Sequence, residues 1–225
     1  MQKSQHAQSA ARQAPAERLI FLTNPGSAYS AQAQLYQYLL AGGRRAIYCG
    51  GRKPSSQLTK ELQGMVQAAQ EVQACVLVKE HLELVESCKA QGFHIAGHYQ
   101  SPTQVRERLG AQAVVGLTIH SPQELDQLTQ APIDYILAGP FAPSPAAGMH
   151  SAPIGLEGIA VICQRAQALR LTIPIYAYGN VENIDVRALL AARCFGVAVS
   201  DGIALAANIQ TATQKYLERI ATNTR

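Results

Sequence analysis

The chain has no tryptophan and only four phenylalanines, and aromatic residues make up 6% of its 225 positions. A nucleic-acid surface needs either an aromatic stacking platform or a basic stripe. The sequence offers neither, because its formal charge of +4 is spread along the chain and Arg44-Arg45 and Arg52-Lys53 are its only basic pairs. No nucleic-acid partner is expected, whereas a small anionic ligand is compatible with this balance. Long apolar runs are missing as well. None approaches the roughly 18 to 20 residues that cross a bilayer, so no membrane partner is expected. The opening "MQKSQHAQSAARQAPAER" lacks the apolar stretch of a secretory signal, and its arginine-containing, acid-poor character is the one feature in keeping with targeting. A cytoplasmic protein is predicted. Paired cysteines are also lacking. Cys49, Cys75, Cys88, Cys163 and Cys194 are odd in number and scattered, with no C-x-x-C spacing, which argues against a disulfide framework and a zinc site. Cys75 and Cys163 lie in apolar runs and read as small buried hydrophobes.

What is present is a regular alternation. With 48% hydrophobic residues the chain is long enough for one sizeable core. Residues 1–17, rich in Gln, Ala and Ser without a hydrophobic face, read as a short disordered tail, and 18–225 as one domain. Strand-like runs recur at 18–25, 46–51, 74–80, 93–99, 113–120, 133–141, 173–179 and 196–203. Most are continuously apolar rather than alternating, the pattern of parallel strands covered on both faces. Between them lie helical patterns such as "SAQAQLYQYLLAGG" and "SSQLTKELQGMVQAAQEVQ", the latter opened by Pro54 and a capping Ser. Ser-Pro opens two others, "SPTQVRERLG" and "SPQELDQLTQ", as N-cap followed by Pro at the first helical position. Eight strands, each followed by a helix, predict a single (β/α)8 TIM barrel of the α/β class, since closure removes both sheet edges. An open dinucleotide-binding sheet would want G-x-G-x-x-G after the first strand, and "TNPGSAYS" does not supply it. In a barrel, ligands sit where strands end. The junction "PIYAYGNVEN" is such an end: an apolar strand meets Gly179 and Asn180 and then a helix, the kind of place where backbone N–H groups receive phosphate.

The segments "DYILAGPFAPSPAAG", "GLEGIAVI" and "IPIYAYGNVENIDVRALLAARCFGVAVSDGI", together with "LIFLTNP" and "VGLTIHSPQEL", resemble the thiamine phosphate synthase superfamily, which includes the TenI-like thiazole tautomerases. The resemblance extends over nearly everything after the tail. It implies a small phosphorylated heteroaromatic ligand, a homodimer, and a phosphate cup at the ends of strands seven and eight, formed from Gly139, Gly179, Asn180 and Ser200. Two positions depart from the family: Asn180 stands for its second glycine, exchanging close backbone approach for an amide donor, and Asp201 stands for a serine. A carboxylate beside a phosphate is repulsive unless neutralised; the plainer role for Asp201 is to cap the last helix, and for Gly179 a tight turn.

The resemblance leaves the chemistry open between two activities. A synthase joins a pyrimidine diphosphate to a thiazole phosphate, which implies Mg²⁺ held by carboxylates and cations that stabilise the departing diphosphate. Here Glu80 is the remaining candidate carboxylate, Tyr99 stands for the second aspartate, and Ala147 stands for a lysine. Arg52 or Lys53 faces the site depending on register, and His98 and His150 are poor substitutes for the missing charge near neutral pH. A tautomerase needs no metal, only a positioned acid/base. His120 closes the fifth strand where the family has a histidine, and Thr118 shares its face. The expected function is therefore a metal-independent thiazole phosphate tautomerase with His120 as acid/base. The alternatives are a Mg²⁺-dependent thiamine phosphate synthase with a rebuilt site, and a non-catalytic phosphate-ligand binder. His94 and His98, with Glu80 nearby, imitate a metal site; the plainer reading is a polar pocket rim.

Overall fold

In the computed structural model, which describes residues 17–50, 55–97, 101–143 and 152–223, eight parallel strands follow one another around a closed barrel in chain order. They are β1 (Leu19–Leu22), β2 (Arg45–Cys49), β3 (Cys75–Lys79), β4 (Gly92–Ile95), β5 (Val114–Ile119), β6 (Tyr135–Ala138), β7 (Ile175–Tyr178) and β8 (Gly196–Val199). Closure is explicit at Phe21, which is in register with Ala46 of β2 on one side and Val199 of β8 on the other. The expected tail lies outside the described residues up to position 16. Glu17 is held against the barrel, its carbonyl accepting a hydrogen bond from the Tyr176 hydroxyl at 2.7 Å.

The strands read as unbroken apolar runs because both faces are buried. Alternate residues divide into an interior set, including Ile20, Ile47, Leu77, Val114, Leu137 and Ala198, and an outer set, including Phe21, Val76, Val78, Val115 and Ile136, that packs on the helices. Arg45, half of an expected basic pair, is buried as the first residue of β2. All five cysteines are free; Cys163 and Cys194 are buried with sulfurs 3.8 Å apart. No helix among the described residues is long and apolar enough to cross a membrane.

The helices are α1 (Ala31–Leu40), α2 (Ser56–Glu71), α3 (Leu82–Cys88), α4 (Pro102–Leu109), α5 (Gly155–Ala168), α6 (Val186–Ala191), α7 (Asp201–Ala204) and α8 (Ile209–Ala221). Ser55 caps α2 as its sequence predicts, accepting from Leu58 N at 3.2 Å. The two Ser-Pro starts behave differently. Ser101 precedes α4 without a side-chain capping bond, and Ser121 opens a 3₁₀ turn (Pro122–Gln127) in place of the expected α-helix. That segment buries only Leu125, too little apolar surface to hold a full helix against the barrel. It is fastened from outside by Arg165 of α5, which donates to Asp126 at 2.6 Å. The eighth strand is shorter than predicted. Ser200 leaves the extended conformation with φ −113 and ψ −83, and Ile203 is buried as part of α7 rather than of a strand.

Candidate active site at the barrel mouth

Polar side chains face the barrel axis at the C-terminal ends of the central strands. On β3, Val76 and Val78 point outward into the helix-facing core, so Lys79 shares the inner face with Cys75 and Leu77. Lys79 is in register with Cys49 of β2 and His94 of β4, and its side chain is 29% exposed. Its ammonium lies 3.3 Å from the Glu80 carboxylate. Glu80 adopts φ +76, a left-handed conformation that costs a non-glycine residue about 1 kcal/mol or more.

His94 is buried inside the barrel rather than at a rim, and among the described residues, which do not include His98, no three His, Cys, Asp or Glu groups gather as a metal site. Its Nδ1 is 2.9 Å from the Tyr135 hydroxyl and its Nε2 is 2.8 Å from Thr118 Oγ1. Burial, reinforced by the charge of Lys79, pulls its pKa from 6.5 down to about 3, so the ring is neutral. Among the described residues the Tyr135 hydroxyl meets no acceptor other than Nδ1. An unpaired buried O–H proton costs more than a shared lone pair. The phenol therefore donates to Nδ1, Nε2–H donates to Thr118 Oγ1, and the threonine proton is directed away from His94. Gly116 makes this possible: a Cβ there would lie 2.0 Å from the Tyr135 ring.

His120 follows β5 with its backbone N–H on Glu124 Oε1 at 3.0 Å, an oxygen that also receives the Ser121 hydroxyl at 2.9 Å. Its Nδ1 is 2.7 Å from the Gly139 carbonyl. A carbonyl only accepts, so Nδ1 carries the proton and Nε2 of the neutral ring is left as a base. Thr118 and His120 line a cleft of about 300 Å³ with Glu124, Pro102 and the helix-facing Leu117 and Ile119, so the cleft runs beside the end of β5 toward α4 and the 3₁₀ turn. An oriented hydroxyl donor and an imidazole acceptor thus stand two residues apart on one face, an arrangement able to move a proton at a bound ligand.

The ends of β6 and β7 press together through their glycines. A Cβ on Gly139 would lie 2.2 Å from Tyr178 O, and one on Gly179 would lie 2.6 Å from Pro140 Cβ. Gly139 donates its N–H to Ile119 O at 3.1 Å while its carbonyl braces His120. Gly179 and Asn180 have φ of +95 and +49, and the Asn180 amide donates to Pro143 O at 2.7 Å, so this amide serves the loop after β6. Ser200 precedes α7 with no side-chain capping bond. Asp201 accepts from Asn24 Nδ2 at 2.7 Å. Arg52, Lys53, His98, Tyr99, Ala147 and His150 lie outside the described residues. Sequence reasoning passed over Lys79, because a lysine ending an apolar run does not reveal its face until the register is known. It also passed over Asn24 and Tyr135, whose partners are distant in the chain.

A closed barrel with polar side chains gathered at the C-terminal mouth defines a (β/α)8 protein, a fold that places ligand sites there. Residues 19–203 match the family model described as thiamine monophosphate synthase, and the chain belongs to that family, within the thiamine phosphate synthase and TenI superfamily. It is 26% identical over 186 residues to the thiamine-phosphate synthase of Lawsonia intracellularis, covering 82% of each chain. With the thiamine-phosphate synthase of Nitrosomonas eutropha it shares 27% over 191 residues, covering 81% of this chain and 84% of the other. The structure of thiamine phosphate pyrophosphorylase from Pyrococcus furiosus superposes with a TM-score of 0.81 at 18% identity, over 97% of this chain and 99% of that one, which bears on the fold alone.

Proposed function

We propose that the chain is a transferase of the thiamine-phosphate synthase type, the alternative rather than the first of the readings drawn from its sequence. The relatives compared above carry that name, which favours transfer over tautomerisation. The observation that carries the reading is Lys79. The sequence argued against transfer because the cations expected to meet a departing diphosphate were missing. An inward-facing ammonium at the mouth answers that objection: a unit charge about 4 Å from an anion in a partly solvated site is worth up to about 4 kcal/mol. Thr118 would donate to an acceptor atom of the ligand, and the β7 and β8 ends would receive the thiazole phosphate.

Mg²⁺, which such transfer implies, is held through one or two carboxylates plus substrate phosphates. Among the described residues no three His, Cys, Asp or Glu side chains gather into a metal site. Glu80 is already ion-paired with Lys79. With an ammonium already 3.3 Å from its one candidate carboxylate, where a second cation would be repelled, this donor set does not fit a resident Mg²⁺.

The second reading, a thiazole phosphate tautomerase, is favoured by His120 Nε2, which has no hydrogen-bond partner among the described residues. One pair of assays separates the two. Incubation with pyrimidine diphosphate and thiazole phosphate should give the coupled product, and incubation with the thiazole carboxylate phosphate alone should give no isomer. The opposite result would replace transfer by tautomerisation. His120→Asn should then lower kcat by about 100-fold or more.

A further inference from the structure

We propose that Lys79 stands in for a divalent cation at this mouth, its ammonium binding the diphosphate end of the ligand directly while Glu80 is the counter-ion that gives way. The inference rests on the transferase reading for the identity of the anion, and on the geometry of β3 for the site.

The residue is placed to do this by the strand itself. Alternation puts it on the inner face, and its register neighbours Cys49 and His94 are both inner residues at the mouth. Both feel its charge. Burial pushes the Cys49 thiol up to about 11 against the opposing influence of Lys79, and the same ammonium adds to the depression of His94. A neutral His94 offers an incoming anion neither a competing charge nor a proton. Through its Nε2 it also holds Thr118, so the cation on β3 and the oriented hydroxyl on β5 flank one imidazole. Glu80 is 45% exposed in its side chain, and an ion pair that open to water is weak. A diphosphate carrying several charges displaces it, and the carboxylate turns to solvent. What the sequence presents as the loss of a metal site thus becomes the exchange of a metal for a lysine.

The test is calorimetric titration of the full chain with inorganic pyrophosphate, once in EDTA and once in excess Mg²⁺. Wild type is expected to bind in EDTA, with an affinity that Mg²⁺ changes by less than about threefold. Lys79→Met should bind roughly tenfold or more weakly, Lys79→Arg should keep most of the affinity, and Glu80→Gln should bind at least as tightly as wild type. Binding by wild type only in Mg²⁺, or no binding in either buffer, overturns the proposal even if no variant folds. So does unchanged binding by a folded Lys79→Met. The two readings fail separately: lysine-dependent pyrophosphate binding without coupled product removes only the transferase, and coupling that requires Mg²⁺ with pyrophosphate bound only in Mg²⁺ removes only the role of Lys79.

Discussion

The side-chain amide of Asn24 donates to the carboxylate of Asp201 at 2.7 Å, tying the end of the first strand to the start of the helix that follows the last. Asn24 is itself clamped: its backbone N–H and carbonyl both engage Gln34 at 2.9 Å, and its Oδ1 accepts from Gly26 N at 2.7 Å. The carboxylate that stands in the family's serine position is therefore restrained beside the proposed phosphate cup. Asp201→Ser should strengthen inorganic phosphate binding by roughly threefold to tenfold, as repulsion is removed. Asn24→Leu should weaken it and also destabilise the protein by about 1 to 3 kcal/mol, because Asp201 and the Gly26 N–H each lose the Asn24 side chain as a partner. Calorimetry with phosphate checks the first, urea titration the second. Equal phosphate affinity in wild type and Asp201→Ser would place the anion elsewhere.

Stability should fall on mild acidification because of His94. Its folded pKa of about 3 lies below the ordinary 6.5, so between those values the unfolded chain takes up a proton that the folded chain refuses. The stabilising contribution is complete above about pH 6.5 and declines toward pH 3, at about 1.4 kcal/mol per pH unit. Urea titrations at pH 7 and pH 5 should differ by about 2 kcal/mol from this group. His94→Gln should be less stable at pH 7 but flatter with pH. An unchanged slope in the variant would assign the acid sensitivity to other groups.

Gly116 and Tyr135 should couple strongly. The ring of Tyr135 occupies the space a Cβ on Gly116 would need, so Gly116→Ala alone should cost about 1 to 3 kcal/mol by overpacking. Tyr135→Leu alone should cost a similar amount by stranding His94 and leaving a void. In the double variant the clash is gone, and the total should be smaller than the sum of the single losses. A double-mutant cycle by chemical denaturation measures this, and simple additivity would mean that the ring is free to move aside.

Arg106 should resist conservative replacement. From α4 it donates to Asp134 Oδ2 at 2.6 Å and to Pro132 O, and the same carboxylate oxygen accepts from Val115 N at 2.8 Å. A lysine cannot reproduce that fork. Arg106→Lys should lose about 1 to 3 kcal/mol, read from the urea midpoint, and a midpoint equal to that of wild type would make the fork dispensable.

Local patterning carried most of the architecture. Runs such as "CVLVKE" and "GVAV" betray doubly covered strands because each buried face demands its own apolar set, and the order of strand and helix is enough to choose a closed barrel. Boundaries were less legible where local signals disagreed with packing. "VSDGI" is apolar enough to continue a strand, yet the chain must turn at Ser200 for Ile203 to reach the outer core. "SPQELDQ" begins like a helix but has only Leu125 to bury.

By itself the sequence determined the number and order of the strands and the capping of α2, which follow from interactions within a few residues, while the candidacy of His120 came from the resemblance to the family. Only the tertiary structure decided which side chains meet: Asn24 with Asp201 across 177 positions, His94 with Tyr135 across 41, and Lys79 with the mouth rather than the outer core. The reason is the register of the closed barrel. A slip of one residue exchanges the inner and outer faces of a strand, and composition along a continuously apolar run does not record which face is which.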